Sequence, residues 1–223
     1  MSQIIFYRLP VERPVQLWLD GRLCTTFYCT PADLPELALG YLMGRGLLDP
    51  ARLPRIRTEE APLRVAVETA GPLGKSVPRR ETAAPWTTTL AEVVRQAEDT
   101  MENTPLRQSS GGVHGASVRW PGGMVVREDI ARHNAVDKAI GAGIMKEINF
   151  AGSALFTTGR LSHEMVAKAA AVGIPVVATM KYPSDLGVEL AVQKGICVIG
   201  RVLSSRPEVY TGEWRLGLKL DNR

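Results

Sequence analysis

The sequence predicts a three-layer α/β protein, and three observations lead there. After Ser153, short apolar runs of strand length alternate with helix-length segments, each closed by a glycine. Earlier, Asp20-Gly21 and Pro121-Gly122-Gly123 interrupt apolar or alternating runs in the way hairpin turns do. The chain has 223 residues and 45% hydrophobic content, enough to bury one sizeable core.

Taken in order, Val15 to Cys29 reads as a β-hairpin, with Asp20-Gly21 as the two-residue turn that tolerates positive φ. A helix is expected next. Thr30 would be its N-cap, Pro31 its first residue and Asp33 an acidic third residue. Leu34, Leu37, Ala38, Tyr41 and Leu42 form its apolar stripe, and Gly44 and Gly46 end it. Leu63 to Glu68 alternates like a strand, and Gly71 to Pro85, rich in Gly, Pro and basic residues, reads as a mobile loop. Leu90 to Met101 reads as a helix with Leu90, Val93, Val94 and Ala97 on one side.

Ala116–Trp120 and Met124–Arg127 make a second hairpin, followed by a helix through His133. Ser153–Thr157, Pro175–Thr179 and Ile196–Ile199 are then strands, and Ser162–Val172 and Ser184–Lys194 are helices closed by Gly173 and Gly195. Such short connections imply right-handed crossovers and parallel pairing. The expected division is a hairpin, helix and loop region over residues 1–88 and an α/β core over 89–223.

The net charge of +4 and pI near 9.1 are mildly basic, with the charges dispersed. That suits an anionic small molecule or an acidic protein surface. No aromatic-rich basic strand or recognition helix is visible, so nucleic acid is not an expected partner. The cysteines Cys24, Cys29 and Cys197 are odd in number, and no secretory segment or membrane-length apolar run is visible, so a reducing cytoplasm is expected.

The densest cluster of chemistry is Arg127-Glu-Asp-Ile-Ala-Arg-His-Asn-Ala-Val-Asp-Lys138. On a helix, Asp129, His133 and Asp137 would share one face, and an imidazole between two carboxylates is biased towards its charged form. The bland alternative is a solvated face with ordinary ion pairs. Val136, Ile140 and Ile144 form a separate anchoring ridge. Further candidates fall where strands end, which is where sites form in α/β sheets. Gly111 and Gly112 would admit close backbone approach, with His114 beside them. Arg160 and Ser162 open a helix, where a guanidinium and backbone donors favour phosphate. Arg132 joins this group, and Arg201 and Arg206 follow the last strand.

The Arg127–Lys138 stretch resembles the Glu-Asp-(Val/Ile)-Gly-Arg-His-x-Ala-(Leu/Val)-Asp-Lys signature of the formate dehydrogenase accessory proteins, the FdhD/NarQ type. Thr30–Leu42 is similar to that family's first helix. Ser110-Gly-Gly-Val-His-Gly-Ala116 resembles its Thr-Gly-x-x-His-Ala-Ala loop. Thr158–Lys168 and Leu186–Ala191 resemble its last two helices. The resemblance implies a cytidine-deaminase-like core with a mixed sheet, plus a small N-terminal hairpin and helix subdomain. It also implies a homodimer. The family's activity is to pass sulfur from a cysteine desulfurase to the molybdenum bis(molybdopterin guanine dinucleotide) cofactor of formate dehydrogenase, and to bind that cofactor or a GDP-like ligand. Its binding loop corresponds to Arg201–Arg206, where Arg206 matches a family arginine, Arg201 replaces an aromatic and Ser204-Ser205 replaces Pro-Gly.

Two family features are not in the sequence. The sulfur-carrying Cys-Gly-x-Cys-Gly loop should fall within Gly71–Thr82, which holds no cysteine. The His-x-Glu and Pro-Cys-x-x-Cys zinc signature of deaminases is absent too, so no zinc is expected. The leading expectation is therefore an accessory protein for a formate dehydrogenase-type molybdoenzyme that binds the cofactor and has no catalytic cysteine of its own. One alternative is a sulfurtransferase using Cys29, beside the expected helix N-terminus, or a partner's cysteine. Another is a guanine-nucleotide-processing enzyme using His114, His133 and Asp129 for proton transfer.

Overall fold

In the computed structural model, residues 9–49, 52–69 and 86–217 are described. The expected first hairpin forms from β1 (Arg13–Leu19) and β2 (Arg22–Cys29), joined by Asp20 and Gly21 at φ 47° and 75°. After α1 (Leu34–Gly44), β3 (Arg55–Glu60) and β4 (Leu63–Glu68) complete a four-stranded mixed sheet in the order β2-β1-β4-β3. The loop expected at Gly71–Pro85 lies outside the described residues.

The larger sheet follows α2 (Leu90–Glu102) and a short α3 (Pro105–Ser110). It is built from the hairpin β5 (His114–Trp120) and β6 (Gly123–Asp129), then β7 (Ala154–Thr157), β8 (Val176–Thr179), β9 (Cys197–Gly200) and the edge strand β10 (Glu208–Thr211). The order is β10-β9-β8-β7-β5-β6. β7, β8 and β9 pair in parallel as expected, with α5 (His163–Val172) and α6 (Asp185–Lys194) as the crossovers. α4 (Arg132–Met145) follows β6.

Strand alternation sorts the larger sheet into two faces. Ala116, Val118, Leu155, Val177 and Val198 join one core with α4, α5, α1 and the inner residues of the small sheet. Ala154, Phe156, Val176, Ala178 and Ile199 join a second core with Val93 and Ala97 of α2. The result is a three-layer α/β core, with α1 packed between α4 and the small sheet. Among the described residues no helix is long and apolar enough to cross a membrane.

α1 and α4 cross at two glycines. A Cβ on Gly40 would lie 1.8 Å from the Asp137 carbonyl oxygen, and one on Gly141 would lie 1.9 Å from that of Glu36. The backbones therefore touch directly. Val136, Ile140 and Ile144 are buried, as their ridge predicts.

Two expectations about helix starts are corrected. α1 is capped not by Thr30 but by Asp33, which sits in the left-handed region at φ 55° without a side-chain cap bond, and Pro35 rather than Pro31 lies in its first turn. Thr30 is otherwise engaged. Its N–H donates to Asp129 Oδ2 (3.2 Å), its hydroxyl accepts from the Ile130 N–H (3.2 Å) and its carbonyl accepts from Lys138 Nζ (2.9 Å). α4 starts at Arg132, so Asp129 belongs to β6 and does not share a helix face with His133 and Asp137. The Asp129 carboxylate turns the chain by accepting the Ala131 N–H (2.9 Å) and the Asn134 side-chain amide (3.2 Å).

Candidate anion site at the carboxyl ends of the parallel strands

The turns after β7, β8 and β9 are bonded into one platform. Met180 N–H donates to Thr157 O (3.1 Å), Val202 N–H to Thr179 O (3.1 Å) and Arg201 N–H to Lys181 O (2.8 Å). The Thr157 hydroxyl accepts the Gly159 N–H (3.2 Å), and the Thr179 hydroxyl donates to the Gly159 carbonyl. The amino ends of α5 and α6 are tied side by side, with Leu161 N–H donating to Tyr182 O (3.1 Å) and Ser184 N–H to Leu161 O (2.9 Å). Two helix N-termini thus face the same edge, which favours negative charge there.

His114 opens β5 beside this platform. Its Nδ1 lies 3.3 Å from Thr158 Oγ1, and Thr158 is locked to Gly115, its N–H donating to the Gly115 carbonyl (2.9 Å) and its hydroxyl accepting the Gly115 N–H (3.1 Å). Burial lowers the His114 pKa below the usual imidazole range, and the nearby Arg132 and Arg107 guanidinium groups push it the same way. His114 is thus a neutral imidazole at neutral pH. Arg132 lies flat against Gly159, where a Cβ would come within 2.8 Å of its own. Arg132 Nε and Ser162 Oγ are buried with no hydrogen-bond partner among the described residues. Arg160, next to Gly159, is exposed. This end of the sheet therefore offers guanidinium groups, hydroxyls and helix N-termini around a neutral histidine. Such a set can bind a phosphate ester or diphosphate and position it.

Several expected residues have other roles. Gly111 is the left-handed C-cap of α3 at φ 69°, so turn geometry alone requires its glycine, and Gly112 packs towards Pro10. Arg201 is engaged by Glu208 (2.8 Å), whose carboxylate also accepts from Tyr210, and it stands over the Tyr182 ring. Arg206 is exposed on the same loop. Asp129 pairs in register with His114, but its buried carboxylate is held by Lys138 Nζ at 2.7 Å.

His133 faces α5, with Nε2 3.6 Å from Glu164, in a separate group with Arg45, Lys168 and Asp137. The expectation of a charged His133 is reversed: burial and then Lys168 lower its pKa. Asp137 is engaged elsewhere through one oxygen, Oδ2, 2.5 Å from Lys168 Nζ, while its buried Oδ1 has no partner among the described residues, and burial raises its carboxyl to about 6.

Arg107 and Lys168 carry no local signal in the sequence, whereas Thr158 follows a strand in Thr157-Thr-Gly-Arg160 and Lys138 closes the dense Arg127–Lys138 cluster. Arg107 is brought in by α3, whose Leu106 and Arg107 N–H groups donate to the Glu128 carboxylate at 3.0 and 2.7 Å.

No thiol belongs to the platform. Cys29 ends β2 fully buried, and burial followed by the Asp129 charge raises its pKa to about 12. Cys197 lies inside β9, also raised to about 12, first by burial. Cys24 is exposed on β2, in the other sheet.

Comparison with known proteins fits this architecture. A relative named "Sulfur carrier protein FdhD" from Streptomyces coelicolor is 30% identical, covering 95% of this chain and 89% of its own length. One of the same name from Burkholderia mallei is 29% identical over 86% of this chain and 84% of its own. The crystal structure of a chain assigned as a formate dehydrogenase accessory protein from Desulfotalea psychrophila superposes with a TM-score of 0.81. It is 28% identical, covering 94% of this chain and 90% of that one. The profile of the FdhD/NarQ family matches residues 10–88 and 73–217. With nearly the whole described chain matched, this protein belongs to the FdhD/NarQ family.

Proposed function

We propose that this chain is an accessory protein for a formate dehydrogenase-type molybdoenzyme that holds the guanine-nucleotide end of the molybdenum cofactor and does not itself carry sulfur. The observation that carries this reading is an anion-binding platform built without a thiol. Arg132 Nε and Ser162 Oγ supply buried polar atoms there that have no partner among the described residues, and Arg160 supplies an exposed charge. A diphosphate fits that set, and it is bound as cargo rather than as a resident group. The unpaired cysteines suit a reducing cytoplasm.

Sulfur carriage needs an accessible thiolate, because a persulfide forms by thiolate attack. Cys29 and Cys197 are buried with raised pKa values, the exposed Cys24 lies on β2 in the other sheet, away from the platform, and Gly71–Thr82 contains no cysteine. Incubation with a cysteine desulfurase and cysteine should therefore leave the intact mass unchanged. A stoichiometric gain of one sulfur mapped to Cys24 or Cys29 would overturn this half of the reading and make the protein a sulfurtransferase.

The binding half is tested by calorimetry with GDP. A charge-assisted contact contributes about 1.5–3 kcal/mol, so Arg160→Ala should weaken GDP binding roughly ten- to a hundredfold, while Cys29→Ser leaves it unchanged. No saturable heat with wild type at millimolar GDP rejects nucleotide binding.

A further inference from the structure

At the opposite end of the larger sheet, a cleft of about 300 Å³ opens between the first turns of α2 and the tip of the β5–β6 hairpin. Its wall includes Trp86, Glu92, Arg95, Gln96, Arg119 and Trp120. Ala154, the first residue of β7, and Trp120, the last of β5, mark this as the amino end of the parallel strands. The anion platform lies at the carboxyl end, so the two do not share residues.

Gln96 is only 1% exposed, and its orientation is fixed. Its amide nitrogen donates to the carbonyls of Ala154 (2.9 Å) and Ser117 (3.3 Å) and reaches the Ser117 hydroxyl (3.1 Å). Flipping the amide would set its oxygen against two carbonyl oxygens, so Oε1 is the atom left over, buried just behind the cleft wall. Oε1 accepts no hydrogen bond from the described residues.

Arg119 is paired in register with Ala154, which puts it beside Gln96. Its terminal nitrogen serves Asp99, but its Nε has no partner among the described residues. The wall thus carries an acceptor next to a donor, both left over after internal bonding. Buried polar atoms of this kind carry a desolvation cost until they are matched. The Arg119 side chain is 33% exposed and can yield to an incoming group.

We propose that this cleft is a second binding site, for a small planar heterocycle with a lactam edge. The ring N–H would donate to Gln96 Oε1 and the adjacent C=O would accept from Arg119 Nε. Trp86, packed against the α2-side core, supplies flat apolar surface for the ring, and Arg95 on the same wall can meet an anionic substituent. A ring with the reversed pattern, an acceptor nitrogen beside an exocyclic amine, would place acceptor against acceptor and donor against donor.

Inosine and adenosine differ at that edge and serve as probes for calorimetry on the full chain. Inosine should bind saturably, and adenosine roughly tenfold or more weaker, because unmatched polar groups discriminate strongly. Arg119→Lys keeps the charge facing Asp99 but removes the Nε–H, and should cost inosine about tenfold. Gln96→Met should do the same, and thermal melting checks that each variant is folded. Arg160→Ala, at the other end of the sheet, should leave inosine binding unchanged.

Equal affinity for both nucleosides, no saturation at millimolar inosine, or loss of inosine binding in Arg160→Ala but not in Arg119→Lys would each overturn the proposal. In those cases the leftover atoms bind ordered water only. The Arg160 arm also keeps this site separate from the GDP reading, since either can fail alone.

Discussion

Alanine at Gly40 or Gly141 should destabilise the protein by about 3 kcal/mol or more, the upper end of what overpacking costs. In an exposed helix the same change would stabilise by up to about 1 kcal/mol, because alanine is the better helix former. Here the sign reverses. The new methyl would sit 1.8 Å from the Asp137 carbonyl oxygen or 1.9 Å from that of Glu36, and neither backbone atom can rotate away as a side chain would. α1 and α4 must move apart, loosening the buried residues between them, Leu37, Val136 and Ile140 among them. The two contacts are reciprocal, so one separation relieves both. The double variant should therefore cost clearly less than the sum of the singles. Gly195→Ala is the control: its φ is 61° but nothing lies within 4 Å of a Cβ, so only backbone strain of about 1–2 kcal/mol applies. Urea unfolding of the four variants decides the matter, and a stabilised Gly40→Ala would mean that the helices do not touch there.

These two glycines show what periodicity cannot reveal. Gly40 lies in sequence between stripe residues Ala38 and Tyr41 and Gly141 between ridge residues Ile140 and Ile144, yet a crossing point depends on both helices at once. The parallel unit was legible because each strand and helix carries its own signal. β8 is a bare apolar run, and Gly173 and Gly195 stop α5 and α6 with left-handed caps. β3 was not legible, since Arg55-Ile-Arg-Thr-Glu-Glu60 is an edge strand with no buried face and so no alternation. α3 has six residues and depends on Glu128 from a distant strand.

At the site, His114 and Arg160 were visible as polar residues flanking strand ends. The i, i+4, i+8 spacing of Asp129, His133 and Asp137 does not bring them together, because it runs across the end of a strand. β6 runs through Asp129, and the three side chains serve three different partners: Lys138, Glu164 and Lys168. The family signature resembled by this stretch therefore encodes, in large part, buried ion pairs that join elements.

The last expectation follows from the more buried of those pairs. Asp129 and Lys138 are both 0% exposed, and Lys138 Nζ meets Asp129 Oδ2 at 2.7 Å, Thr30 O at 2.9 Å and Glu128 O at 3.2 Å. Lys138 thus joins the ends of β2 and β6 to α4. Lys138→Met preserves the volume but strands a buried carboxylate and two carbonyls, and should cost about 3–5 kcal/mol, the range for breaking a buried pair from one side. Replacing both partners removes the uncompensated charge, so Asp129→Asn with Lys138→Met should recover part of that loss. The recovery will be incomplete, because Asp129 also accepts from the Thr30 and Ala131 N–H groups. A double-mutant cycle in urea measures the coupling. If Lys138→Met alone costs less than about 1 kcal/mol, in the range of an exposed pair, the ion pair is not sequestered from water. The junction beneath His114 would then be held by packing and by the hydrogen bonds of Asp129 and Thr30.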